Sequence, residues 1–256
     1  MSFEIDLTGR IVVVTGGGRG VGAGIVDVFV EAGAYVEMCG RSASSSDTER
    51  HAGRTTMSRV DVRDADAVEQ WIDGIAERHG RIDVVVNNAG GAPFAQFNDS
   101  SSRFFDKVLA LNFTSAVYVC RSAAKILAAT PDSSVVNITS ISARRPSPGT
   151  AVYGAAKAAL ESLTQSLAVE WAPDVRVNAV SCGLVATPGS VEHYGDAEQY
   201  AKVAATIPRG QLATPQEIGQ ACLMLASPLA SHITGAVLNV DGGGEWPAFL
   251  QHTPNA

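Results

Sequence analysis

Ile11-Val-Val-Val-Thr15-Gly-Gly-Gly-Arg-Gly-Val-Gly22 is the stretch on which the fold turns. The run Ile11 to Thr15 is β-branched throughout and shows no polar alternation, as expected of a strand covered on both faces. Glycines follow at once, and helical spacing runs from Gly20 to Ala32. A strand that turns through glycines into a helix presents the free N–H groups of the helix start, and the positive end of its dipole, to an anion. The glycines let backbone approach a diphosphate closely. The spacing is Thr-Gly-x3-Gly-x-Gly, with Gly16, Gly20 and Gly22 as the key positions, and not the commoner Gly-x-Gly-x-x-Gly. Gly16, Gly18, Arg19, Gly20, Val21 and Gly22 are therefore candidate contacts to a dinucleotide.

The same alternation extends outward along the chain. Strands are predicted over Ala34–Gly40, Thr56–Val62, Asp83–Asn87, Ser134–Thr139, Val175–Val180 and Ala236–Val240. Helical patterns fill Asp64–His79, Arg103–Ala129, Ala151–Leu167 and Gln216–Ala226. In Asp64–His79, Val68, Trp71, Ile72 and Ile75 share one side. Strand and helix alternating in this way predict an α/β fold of Rossmann type: a doubly wound parallel sheet of about seven strands with helices on both faces. Ligands of such sheets bind beyond the C-terminal strand ends. The glycines after Thr15, the Asn87-Asn88-Ala89-Gly90 stretch and Ser140 all fall at such ends.

The 256 residues are 46% hydrophobic and 18% charged, enough for one α/β domain spanning 1–256, with no linker composition to split it. The short Ser42 to Ser46 stretch reads as a loop. Net charge is −7, against a nucleic-acid partner. No apolar run is long enough for a transmembrane helix, and Met1 to Asp6 does not resemble a secretory signal, so a cytoplasmic protein is expected. Cys39, Cys120, Cys182 and Cys222 lie far apart and read as small buried hydrophobes in a reducing compartment. The histidines make no metal-ligand spacing, and no metal site is expected.

Tyr153-Gly-Ala-Ala-Lys157 carries a candidate chemistry, with Ser140 thirteen positions before the tyrosine. Positions i and i+4 are neighbours on a helix. An ammonium ~4 Å from a phenolate interacts by roughly 4 kcal/mol at an effective dielectric of ~20. This predicts a Tyr153 pKa lowered from ~10 by up to about 3 units, at ~1.36 kcal/mol per unit. Such a phenol is a usable general acid or base.

The second strand ends in Met38-Cys-Gly-Arg41, without the acid that commonly holds the ribose 2′-hydroxyl of NAD. Glu37 is the nearest acid and lies inside the strand. Arg41, with Ser42 after it and Arg19 nearby in the glycine loop, suits a 2′-phosphate. NADP(H) is therefore favoured, with NAD(H) retained as the alternative.

Together these residues resemble the short-chain dehydrogenase/reductase family, in its compact ~250-residue branch, over nearly the whole chain. The resemblance rests on Thr15-Gly-x3-Gly20-x-Gly22, Asn87-Asn-Ala-Gly90, Ser140, Tyr153-x3-Lys157 and Val240-Asp-Gly-Gly243. It implies Tyr153 as the catalytic acid/base, Lys157 as its electrostatic partner and ribose ligand, and Ser140 as a hydrogen-bond partner of the substrate oxygen. Asn112 matches the residue that holds a water in a proton relay to the lysine. Asp61 and Val62 match the adenine contact. Asn87, Asn88, Ala89 and Gly90 match the wall beside the adenosine ribose, and Gly183, Val185 and Thr187 match the nicotinamide end. The family's usual Pro-Gly after the sixth strand is Cys182-Gly183 here, which puts a thiol, expected to be open to alkylation, near the nicotinamide.

Residues 188–210, with Val191, His193, Tyr194, Tyr200 and Ile207, read as a lid over a small-molecule carbonyl or alcohol substrate. Arg144 and Arg145 either attract an acidic substrate or carrier, or are surface or interface charges. The family implies a homotetramer. Its 3-oxoacyl thioester reductases are one specific alternative for the activity, and a nucleotide-binding sensor without turnover is another.

Overall fold

The computed structural model describes residues 5–42, 51, 53–190, 194–248 and 250. Its frame is one parallel sheet of seven strands: β1 Ile11–Thr15, β2 Tyr35–Gly40, β3 Thr55–Arg59, β4 Val84–Asn87, β5 Ser134–Ser140, β6 Arg176–Cys182 and β7 Val237–Val240. Their order is β3-β2-β1-β4-β5-β6-β7. The chain winds outward from β1 in one direction and then outward from β4 in the other, so the crossover direction reverses between these neighbours. The crevice at that reversal is where this class of sheet holds its ligands.

The β-branched runs form strands because both faces are covered. Val12 and Val14 face a core with Ile25 and Phe29 of α1 (Gly20–Glu31) and Ile218 and Leu225 of α7 (Pro215–Ala226). Val13, Val85 and Val135 face the opposite core, with Ile72 and Ile75 of α2 (Ala65–His79) and Val119 and Leu127 of α4 (Ser115–Ala128). Each of these side chains, when fully buried, contributes roughly 1.5–3 kcal/mol. The sheet is therefore clamped from both sides, and its C-terminal edge is held rigid.

The elements match the sequence expectations with local differences. The helical stretch 103–129 is interrupted: α3 (Ser102–Leu109) passes into a π-helical turn, Ala110–Thr114, before α4 begins. Asn112 sits in that turn and its Nδ2 donates to the Val108 carbonyl at 2.9 Å, which accounts for the widened spacing. The helix bearing Tyr153, α5, runs Ala151–Glu170, past the expected Leu167. The stretch 188–210 contains a helix, α6 (Ala197–Ala205), that was expected only as part of a lid. Its start is fixed by a capping box between Asp196 and Gln199. Val191, His193 and most of the Ser42 to Ser46 stretch lie outside the described residues.

Candidate active site

Helix starts divide into two kinds. Asp64, Ser101, Asp196 and Thr214 cap α2, α3, α6 and α7 with side-chain oxygens. Arg19, at the start of α1, makes no such bond, so the first N–H groups of this helix have no side-chain acceptor. The preceding loop is built to admit a ligand. Gly16 and Gly20 have φ of +68° and +56°, in the left-handed region that favours glycine. A Cβ on Gly22 would overlap the Gly16 carbonyl and come within 2.6 Å of Asn88 Nδ2. Thr187 reaches the same loop, its Cγ2 3.7 Å from where a Cβ on Gly20 would stand. An uncapped helix start behind a loop with no room for side chains fits a dinucleotide diphosphate.

Asn88 holds this loop in place. Its backbone N–H donates to Thr15 Oγ1 at 3.0 Å, and its Nδ2 donates to the Thr15 and Gly16 carbonyls at 2.9 and 3.2 Å. Ala89 N–H donates to the same Thr15 oxygen at 2.9 Å. Thr15, which reads in the sequence only as the end of a strand, thus ties β1 to β4. Asn87 points away from the loop. Its Nδ2 donates to Asn137 Oδ1 at 2.8 Å inside the sheet, so only its backbone faces the ligand side.

Ser140 ends β5, directly opposite Cys182 at the end of β6. Tyr153 and Lys157 stand on the first two turns of α5, and the Lys157 ammonium lies 5.8 Å from the centre of the Tyr153 ring. Lys157 is buried and donates to the Ile138 carbonyl at 2.9 Å. Asn112 closes the group from the π turn. Its Oδ1 accepts from Gly91 N–H at 2.7 Å and its Nδ2 donates to the Gly91 carbonyl at 2.9 Å. Gly90 is the spacer: a Cβ there would come 2.8 Å from Asn112 Oδ1 and 3.1 Å from Lys157 Nζ. Ser140, Tyr153, Lys157 and Asn112 are thus brought together.

Their ionisation differs from the sequence expectation. Burial pushes the Tyr153 phenol up from its ordinary value, opposed by a hydrogen bond with Ser140. Burial brings the Lys157 ammonium down to about 8. Desolvation of the phenol outweighs the pull of the Lys157 ammonium, which stands 5.8 Å from the ring centre. Cys182 corrects a second expectation: the thiol is buried and pushed up to about 12, so it is a protonated packing group rather than a reactive thiolate.

At the other end of the crevice, Glu37 is fully buried under α2, its Oε1 bound to His79 at 2.8 Å and Arg78 at 3.1 Å. It is unavailable to a ribose. Arg41, Ser42 and Arg19 are exposed. Asp61, next to the buried Val62, is clasped by Arg63, whose Nε and Nη2 donate at 2.9 and 2.5 Å. That clasp, aided by the charge of Arg41, holds the Asp61 carboxyl below its ordinary range. Arg63 was missed in the sequence, although its position two residues beyond Asp61 is the signal that would have found it. Gly183 leaves no room for a side chain beside Asp241, and Val185 bridges to Ala213. Arg144 is engaged by Glu161 and Asn239, and Arg145 by Glu245. Among the described residues, no cluster of His, Cys, Asp and Glu is placed to hold a metal.

Comparison with known proteins agrees with this geometry. A family model described as enoyl-(acyl carrier protein) reductase matches residues 16–245. The chain is 35% identical over 248 residues to a 3-oxoacyl-(acyl-carrier-protein) reductase of Chlamydia pneumoniae, covering 94% of this chain and 99% of that protein. A solved short-chain dehydrogenase/reductase of Brucella melitensis superposes with a TM-score of 0.86 at 30% identity, over 96% of this chain and 100% of that one. The Pseudomonas aeruginosa RhlG/NADP active-site complex gives 0.87 at 29% identity, over 95% of this chain and 99% of that one.

Proposed function

The chain belongs to the short-chain dehydrogenase/reductase family of NAD(P)-dependent oxidoreductases, and on that premise we propose that it moves hydride between NADP(H) and a carbonyl or secondary-alcohol carbon, with Tyr153 as the acid/base. The observation that carries the reading is the gathering of Ser140, Tyr153, Lys157 and Asn112 at the sheet edge that also holds the uncapped glycine loop. Bound nicotinamide supplies or accepts the hydride.

The chain's own residues supply the rest. In reduction, Ser140 donates a hydrogen bond to the substrate oxygen and polarises the carbonyl. The Tyr153 hydroxyl, kept protonated by burial, gives its proton to that oxygen as the carbon receives hydride. The tyrosinate left behind is favoured by the ammonium of Lys157, most of which is charged at neutral pH with a value of about 8. Asn112 fixes Gly91 and the approach to Lys157, which is the route for returning the proton. In oxidation the same groups act in reverse.

The backbone of Gly16 to Gly22, with Asn88, Ala89 and Gly90, would line the diphosphate and ribose. Val62 and the Asp61 backbone border the adenine. Gly183, Val185 and Thr187 border the nicotinamide, and residues 188–210 close over the substrate. NADP(H) is preferred over NAD(H), because the only acid on β2 is spent on Arg78 and His79 while Arg41 and Arg19 stay exposed. Arg63 would add to the preference, because its ion pair with Asp61 removes a carboxylate charge that would repel a 2′-phosphate. The enzyme works as a cytoplasmic homotetramer. Reduction of 3-oxoacyl thioesters is a second reading, favoured by the 35% identity to the chlamydial reductase.

Replacing Tyr153 by Phe tests the chemistry. Turnover should fall by about 10²–10⁴, the usual worth of a positioned acid, and near-wild-type turnover would refute the mechanism. Titration with both cofactors tests the second claim. NADPH should bind more tightly than NADH, and Arg41→Ala together with Arg63→Ala should erase the difference.

A further inference from the structure

We infer, resting on the hydride-transfer reading, that the substrate is an uncharged ketone or secondary alcohol with an aromatic or alicyclic body, held against a wall of phenylalanines beside Tyr153. Four of the chain's eight phenylalanines fall between positions 94 and 105. The fold brings three of them to a cleft that Tyr153 also lines. The cleft beside Tyr153 runs past Val152 and Gly149 to Phe97, Phe104 and Phe105. Phe97 stacks on Phe105 with ring centres 5.0 Å apart, and Phe104 meets Phe105 edge-on at 5.9 Å.

Phe94 lies over Gly149, where a Cβ would overlap its ring, and Ala95 N–H donates to the Gly149 carbonyl at 2.9 Å. The loop after β4 and the loop before α5 are thereby tied together, so the wall has a fixed backbone. Phe94 and Phe97 nonetheless stay 65% and 58% exposed. Rings left wet beside a reacting phenol mark a surface that a flat apolar ligand would cover.

Charge argues the same way. Among the described residues, no Lys, Arg, Asp or Glu lines this cleft. The two arginines that follow the catalytic strand are occupied by carboxylates: Glu161 holds Arg144 at 2.9 Å, and Glu245 holds Arg145. A phosphorylated carrier arm needs cations in the cleft itself, and a sugar needs several polar partners. The cleft offers mainly the Thr150 hydroxyl, which is already paired with Ser147 at 2.6 Å.

The test uses the full chain with NADPH and NADH. Acetophenone and 4-substituted cyclohexanones are compared with 2-butanone, a hexose, and a 3-oxoacyl thioester on its carrier protein. The expected order of kcat/KM puts the cyclic and aromatic ketones first by at least about tenfold. Phe94→Ala and Phe97→Ala alter exposed rings and so keep the fold. Each should lower the ratio of kcat/KM for acetophenone over 2-butanone by several-fold, mostly through KM. A hexose or the carrier thioester as the preferred substrate, or an unchanged ratio in both variants, overturns the inference. Calorimetric binding of acetophenone to Tyr153→Phe reads the wall without the chemistry. Binding at least about tenfold tighter than a hexose supports the wall even if turnover fails everywhere, which would sink only the hydride-transfer reading. Equal or weaker binding overturns the wall even if turnover survives.

Discussion

Lys157 is buried at a cost to the fold. Its ammonium is buried and held at about 8 instead of 10.5. Because the folded value is depressed, the unfolded chain binds the proton more readily between pH 8 and 10.5, so stability rises with pH through that window. Below pH 8 the full penalty applies, about 3 kcal/mol at ~1.36 kcal/mol per unit. The bond to the Ile138 carbonyl, donated by a charged group, returns roughly 1.5–3 kcal/mol. Lys157→Met should therefore raise the melting temperature of the cofactor-free protein at pH 7 by no more than a few degrees, at ~2–4 °C per kcal/mol, while abolishing turnover. The gain should shrink at pH 10, and a lower melting temperature at both pH values would contradict the assignment. Cys182 gives a second residue-level expectation. Iodoacetamide at pH 7.5 should leave it unlabelled in the folded protein and label it in guanidinium, as read by peptide mass spectrometry. At this scale the sequence pointed to side chains that the fold gathers but not to their ionisation. Spacing along a helix puts Lys157 near Tyr153, whereas desolvation depends on what the rest of the chain packs around them.

Among the elements, α1 and α7 make the tightest join. A Cβ on Gly24 would overlap Pro215, and one on Gly219 would come 2.8 Å from the Gly24 carbonyl. Small residues at this crossing seat α1 against α7, and α1 carries the glycine loop at its start. Gly24→Val should overpack the crossing and cost about 3 kcal/mol. It should also weaken cofactor binding by shifting the loop, a change that denaturant titration and a cofactor isotherm would separate. Strands and long helices were readable because their hydrophobic periods were clean. The π turn was not, since Ala110-Leu-Asn-Phe113 has ordinary helix composition and the bulge comes from Asn112 bonding back to Val108 and across to Gly91. Helix α6 was readable in principle from Asp196 and Gln199, but its polar, partly aromatic face looked like a loop.

For the whole molecule, the proposed assembly is the open quantity. The outer side of α5 leaves Val169 81% exposed, as an interface between copies would require. Sedimentation should give a mass near four times the 26.6 kDa chain, and Val169→Glu should lower it. A monomer at micromolar concentration would rule the tetramer out. The overall architecture was legible in the sequence, because the candidate glycine turns fell at strand ends and parallel sheets admit few connections. The aromatic wall was not, since phenylalanines at 94, 97, 104 and 105 converge only once the loops after β4 and before α5 are tied.

Burial also grades across the sheet. β1, β4 and β5 are covered along their whole length, while β3 and β7 at the margins are half exposed. Local opening follows such gradients. In heavy water the amides of β1, β4 and β5 should be the last to take up deuterium, and those of the two marginal strands the first. The strands that end at Thr15, Asn87 and Ser140 would then stay closed while the margins breathe, so the protein can loosen at its rim many times over without disturbing the crevice at its centre.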